Sequence, residues 1–358
     1  MSNLTTQSSE RALTPAPRMQ PNGTVSRVAS WLIWPALLVL AVGLGLGIDN
    51  NYWLQVTVNA EIMVIATVGL YVTFGLSGQV SLGQAAFFAI GGYSVGLLVT
   101  KLSMDFGLAM VIGVLLSAIV GLALGIPALR LKGHYLALAT LGFGQVVALI
   151  LVNWTWLSGG ATGVSGITAP LFGSFELVTV SDWAVFIGIF AVLAIFVVHR
   201  VKNSSYGRAM QAVRDSDVAA AAMGVSLSAV KVLAFVIGAA FAGLAGALNA
   251  GFTTYISPGT YNLALSVSLL AMVVVGGATS HWGAVIGAVL LTFLPELLRP
   301  IQDYYLLLYG VLLLIMVAFV PGGIWGVILG IGRYVGRLTG IRRRREKTEL
   351  DLLKGEES

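Results

Sequence analysis

GRAMQAVRDSDVAAAAMG, Gly207 to Gly224, stands between two apolar runs each long enough to cross a bilayer. It is rich in charge, alanine and helix punctuation. Arg208 to Arg214 holds helix-forming residues throughout. Asp215, Ser216 and Asp217 can cap a second short helix, VAAAAM, which Gly224 would end at the position after its last turn. Ser226 or Ser228 can cap the next long helix. A helix, a cap, a helix and a glycine make an ordered unit too long for a tight turn. Two readings fit it: an element on which something docks, or a plain surface loop.

Composition sets the surroundings. Of 358 residues 57% are hydrophobic and only 10% are charged, and the mean hydropathy is +0.91. Soluble domains carry roughly a quarter charged residues, so the expected class is a polytopic, all-α integral membrane protein. A helix needs about 20 apolar residues to cross a bilayer. About ten candidate spans follow from that length: 31–48, 56–76, 82–100, 107–129, 134–153, 182–200, 229–251, 262–279, 282–299 and 303–320. The third opens with GLSGQVSLGQ, whose glycines Gly75, Gly78 and Gly83 make a broken or re-entrant segment an alternative to a straight helix.

Basic residues test the count, because Lys and Arg gather on the cytoplasmic side. With the N-terminus inside, Arg11, Arg18, Arg27, Arg130, Lys132, Arg200, Lys202, Arg208, Arg214, Lys231 and the run Arg342–Arg345 all fall on one side. Asp49–Trp53 and the stretch from Asn153 to Asp182, which lacks Lys and Arg, fall on the other. Both termini are then cytoplasmic, and the coupling-type loop 201–228 faces the cytosol. Residues 1–30 read as a disordered tail with no cleaved signal, residues 31–335 as the membrane domain, and 336–358 as a basic cytoplasmic tail. The net charge of +5 is an anchor at anionic lipid, not a nucleic-acid surface. Cysteine is absent, which removes disulfides and thiolate metal sites.

Several blocks, in order along the chain, resemble one family. They are Gly75–Tyr93 (GLSGQVSLGQAAFFAIGGY), Arg130–Gln145, Asn153–Ile167, Gly207–Gly224 with the helix after it, Tyr255–Ala288 and Leu294–Pro300. Over about residues 56–325 the chain is similar to the permease subunits of bacterial ABC importers, most closely those of the branched-chain amino acid (LivM-like) family. The general importer pattern is Glu-Ala-Ala, three residues, then Gly. Ala219, Ala220 and Gly224 match it; Val218 stands at the glutamate position with Asp217 just before. The resemblance implies a coupling loop that uses Gly207, Arg208, Arg214, Asp217, Ala219, Ala220 and Gly224. It also implies a homologous second permease subunit, two cytoplasmic ATP-binding subunits and a periplasmic substrate-binding protein. The chain has no G-x-x-x-x-G-K-[ST] phosphate loop. No catalytic residue and no cofactor are expected in it, and ATP hydrolysis would come from the other subunits. The implied solutes are leucine, isoleucine and valine, with urea, short amides and other amino acids as alternatives. An ion-coupled secondary carrier or channel acting alone is the rival of another class; the scarcity of Asp, Glu and His inside the spans speaks against a proton relay.

Other residues carry open readings. Ser77, Gln79, Ser81 and Gln84 put polar atoms at membrane depth, where they line a path or bond neighbouring helices. Glu61, in the second span, is either functional or near the headgroups. Gly238, Ala242 and Gly246 recur every fourth residue, a spacing that lets helices pack closely and that could also serve gating. Glu296 and Arg299 are expected to pair. His134, His199 and His281 read as structural, with no metal-ligand spacing. Leu157–Ile167, on the outer side, is either a contact for the binding protein or a turn.

Overall fold

A computed structural model of the chain describes residues 25–129, 131, 133–172, 175–299, 310–311, 314 and 323–338. Most of the predicted tenth span and of the two tails, with Arg130, Lys132 and the Arg342–Arg345 run, lie outside the described residues. The long helices are α1 (Val25–Gly47), α2 (Asn51–Tyr71), α3 (Gln84–Leu102), α4 (Phe106–Ala128), α5 (His134–Asn153) and, after a one-turn α6 (Thr155–Ser158), α7 (Val180–Asn203). Then come the short pair α8 (Ser205–Asp215) and α9 (Asp217–Ala222), and the long α10 (Leu227–Thr253), α11 (Leu263–Gly276), α12 (His281–Leu298) and α13 (Gly323–Leu338). Among the described residues eight helices are long and apolar enough to cross a membrane, and Trp34–Gly47 within α1 adds a shorter apolar stretch. The helical class and the multi-pass character stand as expected. Helix α1 starts at Val25, inside the stretch read as tail.

Side-chain caps set the starts of α2 and α7. Asn50 accepts a hydrogen bond from Tyr52 N at 2.9 Å, and Thr179 with Asp182 forms a capping box ahead of α7. Helix α10 is the centre of the bundle and packs on α2, α3 and α4. Its small residues let the backbones meet. A Cβ at Gly238 would stand 2.3 Å from Thr73 Oγ1 on α2, and one at Gly246 would stand 1.9 Å from the Phe88 carbonyl on α3. Ala242 between them is fully buried. The packing reading of this stripe is therefore what the helix contacts display.

The loops sort into two ends. At one end lie the segment 77–83, the α8–α9 pair and the 277–280 turn, where the Tyr71 hydroxyl donates to the Thr279 carbonyl. At the other, β1 (Val164–Ser165) pairs antiparallel with β4 (Tyr255–Ile256), and Leu171–Phe172 (β2) pairs with Phe175–Glu176 (β3). There Lys101 Nζ donates to the carbonyls of Trp156 and Leu157 at 2.6 and 2.8 Å. The Leu157–Ile167 stretch is thus folded down onto α3 and β4. At the same end Glu296 pairs with Arg299 at 3.6 Å, as expected, and Tyr52 joins both through its hydroxyl.

Candidate functional site

Helix α2 does not end cleanly. Its last turn, Val72–Leu76, widens into π geometry, and the chain then runs unwound to Gly83 before α3 begins. Such π turns mark functional positions in helices more often than chance. The sequence GLSGQVSLGQ is therefore a true break between two spans. Its polar side chains close on themselves and on neighbours. Ser77 Oγ donates to the Thr73 carbonyl at 2.7 Å, and Gln79 Nε2 donates to Ser77 Oγ at 2.7 Å. Ser81 Oγ accepts from Gly83 N at 3.4 Å, and Gln84 Nε2 donates to the Gly238 carbonyl at 3.4 Å. All four are buried. Two residues that the sequence did not single out complete the support: Thr140 Oγ1 accepts from Leu82 N, and Ser266 Oγ accepts from Ala85 N, both at 2.9 Å. Free backbone donors at a helix start need such partners; a lone Thr or Ser within an apolar helix gives no hint which donor it will meet.

The α8–α9 pair lies against this break. Ser204 and Ser216 cap the two helices through Gly207 N and Ala219 N, both at 3.2 Å. Gly224 closes the unit at φ +80°, where residues with a Cβ are disfavoured. Gly207, Met210 and Val213 are buried on one face of α8, and Ala220 is buried under α9. The other side is open: Tyr206, Val218 and Met223 are 63%, 81% and 83% exposed. Ala219 is exposed as well.

The two arginines part company. Arg208 is exposed and donates to the Asn203 carbonyl at 3.1 Å. Arg214, though partly exposed, reaches the break: Nη1 donates to the Gly75 carbonyl at 2.7 Å, and Asp215 holds the guanidinium from behind at 3.3 Å. Asp217 is paired with Lys231 of α10 at 2.8 Å. A polar cavity of about 310 Å³ lies between the pair and the break.

Glu61 is elsewhere. It borders an apolar groove of about 580 Å³ walled by α1, α2, α7 and α12, and its Oε2 has no hydrogen-bond partner among the described residues. Ten residues past the start of α2 at Asn51, it lies about 15 Å along the helix. Gly188 makes room for it, since a Cβ there would come within 3.0 Å of Oε1. The structure does not bring Glu61 to the polar break. It does bring together two histidines 82 positions apart, with His199 Nδ1 3.2 Å from His281 Nε2 and His199 Nε2 3.0 Å from Asn203 Nδ2. Among the described residues no group of three His, Cys, Asp or Glu is placed to hold a metal ion.

The bundle thus has a polar break between two spans, with a helix pair bonded to it through Arg214 and large apolar side chains bare elsewhere on that pair. Chains of this class are transport permease subunits of ABC importers, multi-pass proteins of the inner membrane. This one belongs to the family described as branched-chain amino acid transport system / permease component, whose model matches residues 52–317. It is 36% identical over 322 residues to the high-affinity branched-chain amino acid transport system permease protein LivM of Salmonella typhimurium, covering 84% of this chain and 76% of that one. To the LivM of Escherichia coli it is 35% identical over the same length and shares. A more distant relative is the autoinducer 2 import system permease protein LsrC of Yersinia pseudotuberculosis, 25% identical over 272 residues, 72% of this chain and 73% of the other. No solved structure matches significantly.

Proposed function

We propose that the chain forms half of the translocation pathway of an importer for branched-chain amino acids, with α8 and α9 as its handle on a cytoplasmic ATPase. The observation that carries this is the two-sidedness of residues 204–224. One side is bonded to the broken end of α2 through Arg214; the other leaves Tyr206, Val218 and Met223 bare. Large apolar side chains exposed outside a span favour a protein partner. The basic residues around them favour the cytosolic side. In this reading Gly207, Arg208, Asp217, Ala219, Ala220 and Gly224 shape the handle, and Ser77, Gln79, Ser81 and Gln84 belong to the part that moves. The membrane domain spans 31–335. A homologous second permease subunit supplies the other half of the route, two ATP-binding subunits the energy, and a periplasmic binding protein the solute. The branched-chain amino acid transport named for the LivM relatives supports leucine, isoleucine and valine as solutes; the LsrC relative, named for autoinducer 2 import, supports a binding protein that carries much of the choice.

The deciding experiment is to purify the tagged chain, identify its co-purifying subunits and reconstitute them in liposomes. ATP-dependent uptake of leucine, with an ATPase and a second permease subunit in the complex, is the expected result. Uptake by this chain alone without ATP would make it a carrier or channel and end the importer reading.

A further inference from the structure

We infer that Arg214 is a positioning residue that ties the α8–α9 pair to the broken end of α2, so that displacement of the pair is passed to the segment Val72–Gln84. This rests on the importer reading above and names the joint through which it works.

Three observations point to a joint rather than a surface ion pair. First, the Arg214 guanidinium bridges elements far apart in sequence: its Nη1 reaches the Gly75 carbonyl at 2.7 Å, inside the π turn. A hydrogen bond from a charged donor to a backbone carbonyl is among the stronger kinds. Asp215, the adjacent residue, accepts from Nε and Nη2 at 3.3 Å and so aims the fork instead of competing for Nη1. Second, the arginine stem lies across Gly78, whose φ is +72°. A Cβ at Gly78 would stand 2.8 Å from Arg214 Cγ. The break thus has a seat for this side chain that only glycine leaves open. Third, a second tie runs parallel to the first. Asp217 binds Lys231 at 2.8 Å, and the Lys231 carbonyl accepts from Gln79 Nε2 at 3.3 Å. Residues 214 and 217 of the pair are in this way connected to residues 75 and 79 of the break. Between the two ties lies the cavity of about 310 Å³, which Ser77, Gln79 and Val80 border from the break and Asp215 and Ser216 from the pair. At this junction the Arg214 stem packs on Gly78, and beside that contact the side-chain bonds border an open space. That leaves room for one to swing while the ties transmit the movement.

The chain has no cysteine, so a single introduced thiol reports on one place. The experiment uses the assembled importer carrying Val80→Cys and a membrane-impermeant maleimide applied from the cytoplasmic side. The labelling rate at position 80 should differ between the nucleotide-free complex and one trapped with a non-hydrolysable ATP analogue. Arg214→Gln should abolish that difference and lower solute uptake per ATP hydrolysed by about tenfold, the scale of one lost charged hydrogen bond. Complex recovery and basal ATP hydrolysis should be retained. Arg214→Lys, which keeps a charged donor, should restore uptake per ATP to within about threefold of the original. A purely structural arginine would instead lower recovery and ATP hydrolysis together, and the ratio would stay fixed. If the unsubstituted complex shows no ATP-dependent uptake, the importer reading fails. If it transports but labelling at position 80 ignores nucleotide, or if labelling in R214Q still follows nucleotide, the tie fails and the importer reading survives. The labelling arm on the unsubstituted complex needs no change at Arg214, so the inference stays testable even should R214Q not assemble.

Discussion

Gly224 is where a backbone angle and a proposed function meet. Its φ is +80°, and nothing lies within 4 Å of the position a Cβ would take. A larger side chain therefore has space, and the whole penalty of a substitution falls on the backbone. For an L-residue the left-handed region costs roughly 1–2 kcal/mol, and branching at Cβ adds to it. Gly224→Val should therefore loosen the end of α9 without harming insertion, since no buried contact is touched. ATP-dependent uptake by the reconstituted importer should fall several-fold, with membrane levels of the chain unchanged. Gly224→Asn, a residue that tolerates the left-handed region, should restore much of the uptake. Equal uptake by all three proteins would show that the turn geometry at 224 does not matter to coupling. The residue scale also separates Arg208 from Arg214. They are six apart on one short helix and alike in the sequence, yet one faces outward and the other bonds the membrane helix.

At the scale of elements, α10 shows what the sequence can and cannot announce. The four-residue repeat Gly238, Ala242, Gly246 predicts close helix approach, and the approach is there: the space of a Cβ at 246 is taken by the Phe88 carbonyl, a backbone atom that cannot rotate away. Gly246→Val should destabilise the bundle by about 3 kcal/mol, at the upper end of overpacking costs. It should be seen as a lowered melting temperature in detergent, or as loss of folded protein. Gly43→Ala on α1, where a Cβ meets nothing within 4 Å, should not lower the melting temperature. An unaltered melting temperature for G246V would mean that α3 and α10 can part without penalty. The repeat was legible because it is local. So were the caps at Ser216 and Gly224, the Glu296–Arg299 pair and the break after Gly75, all of which depend on neighbours a few residues away. The His199–His281 contact, the Lys231–Asp217 pair and the support of the break by Thr140 and Ser266 were not. Each joins residues whose proximity is decided by how helices pack, and a single polar residue in an apolar run carries no address for its partner.

At the scale of the whole molecule, two outer helices of the bundle invite opposite readings. The exposed side of α4 is aliphatic throughout, with Leu108, Val111, Leu115, Ile119, Leu122 and Ile126 among its bare residues. Such a face is at home in lipid chains. Helix α5 is the least enclosed span: only 11% of its apolar window is buried, against 83% for α2 with its π turn. Yet it is not uniformly apolar. Leu138, Gly142, Gln145 and Leu149 share its exposed face, and the Gln145 side chain has no hydrogen bond to any described residue. An unsatisfied amide facing hydrocarbon is costly, whereas the same amide against another protein chain or a water-filled route is not. Since α5 also holds the break through Thr140, we expect it to face the second permease subunit across the route, with α4 in lipid. Size tells these surroundings apart, because fluid chains accommodate a bulkier apolar side chain and a packed protein interface does not. Leu149→Trp on α5 should therefore reduce co-purification of the second permease subunit by about tenfold, for a loss near 1.4 kcal/mol. Leu115→Trp on α4 should leave recovery of the complex unchanged. If L149W recovers the partner in full while L115W loses it, the two helices have been assigned the wrong way round, and the route must lie on the α4 side of the bundle.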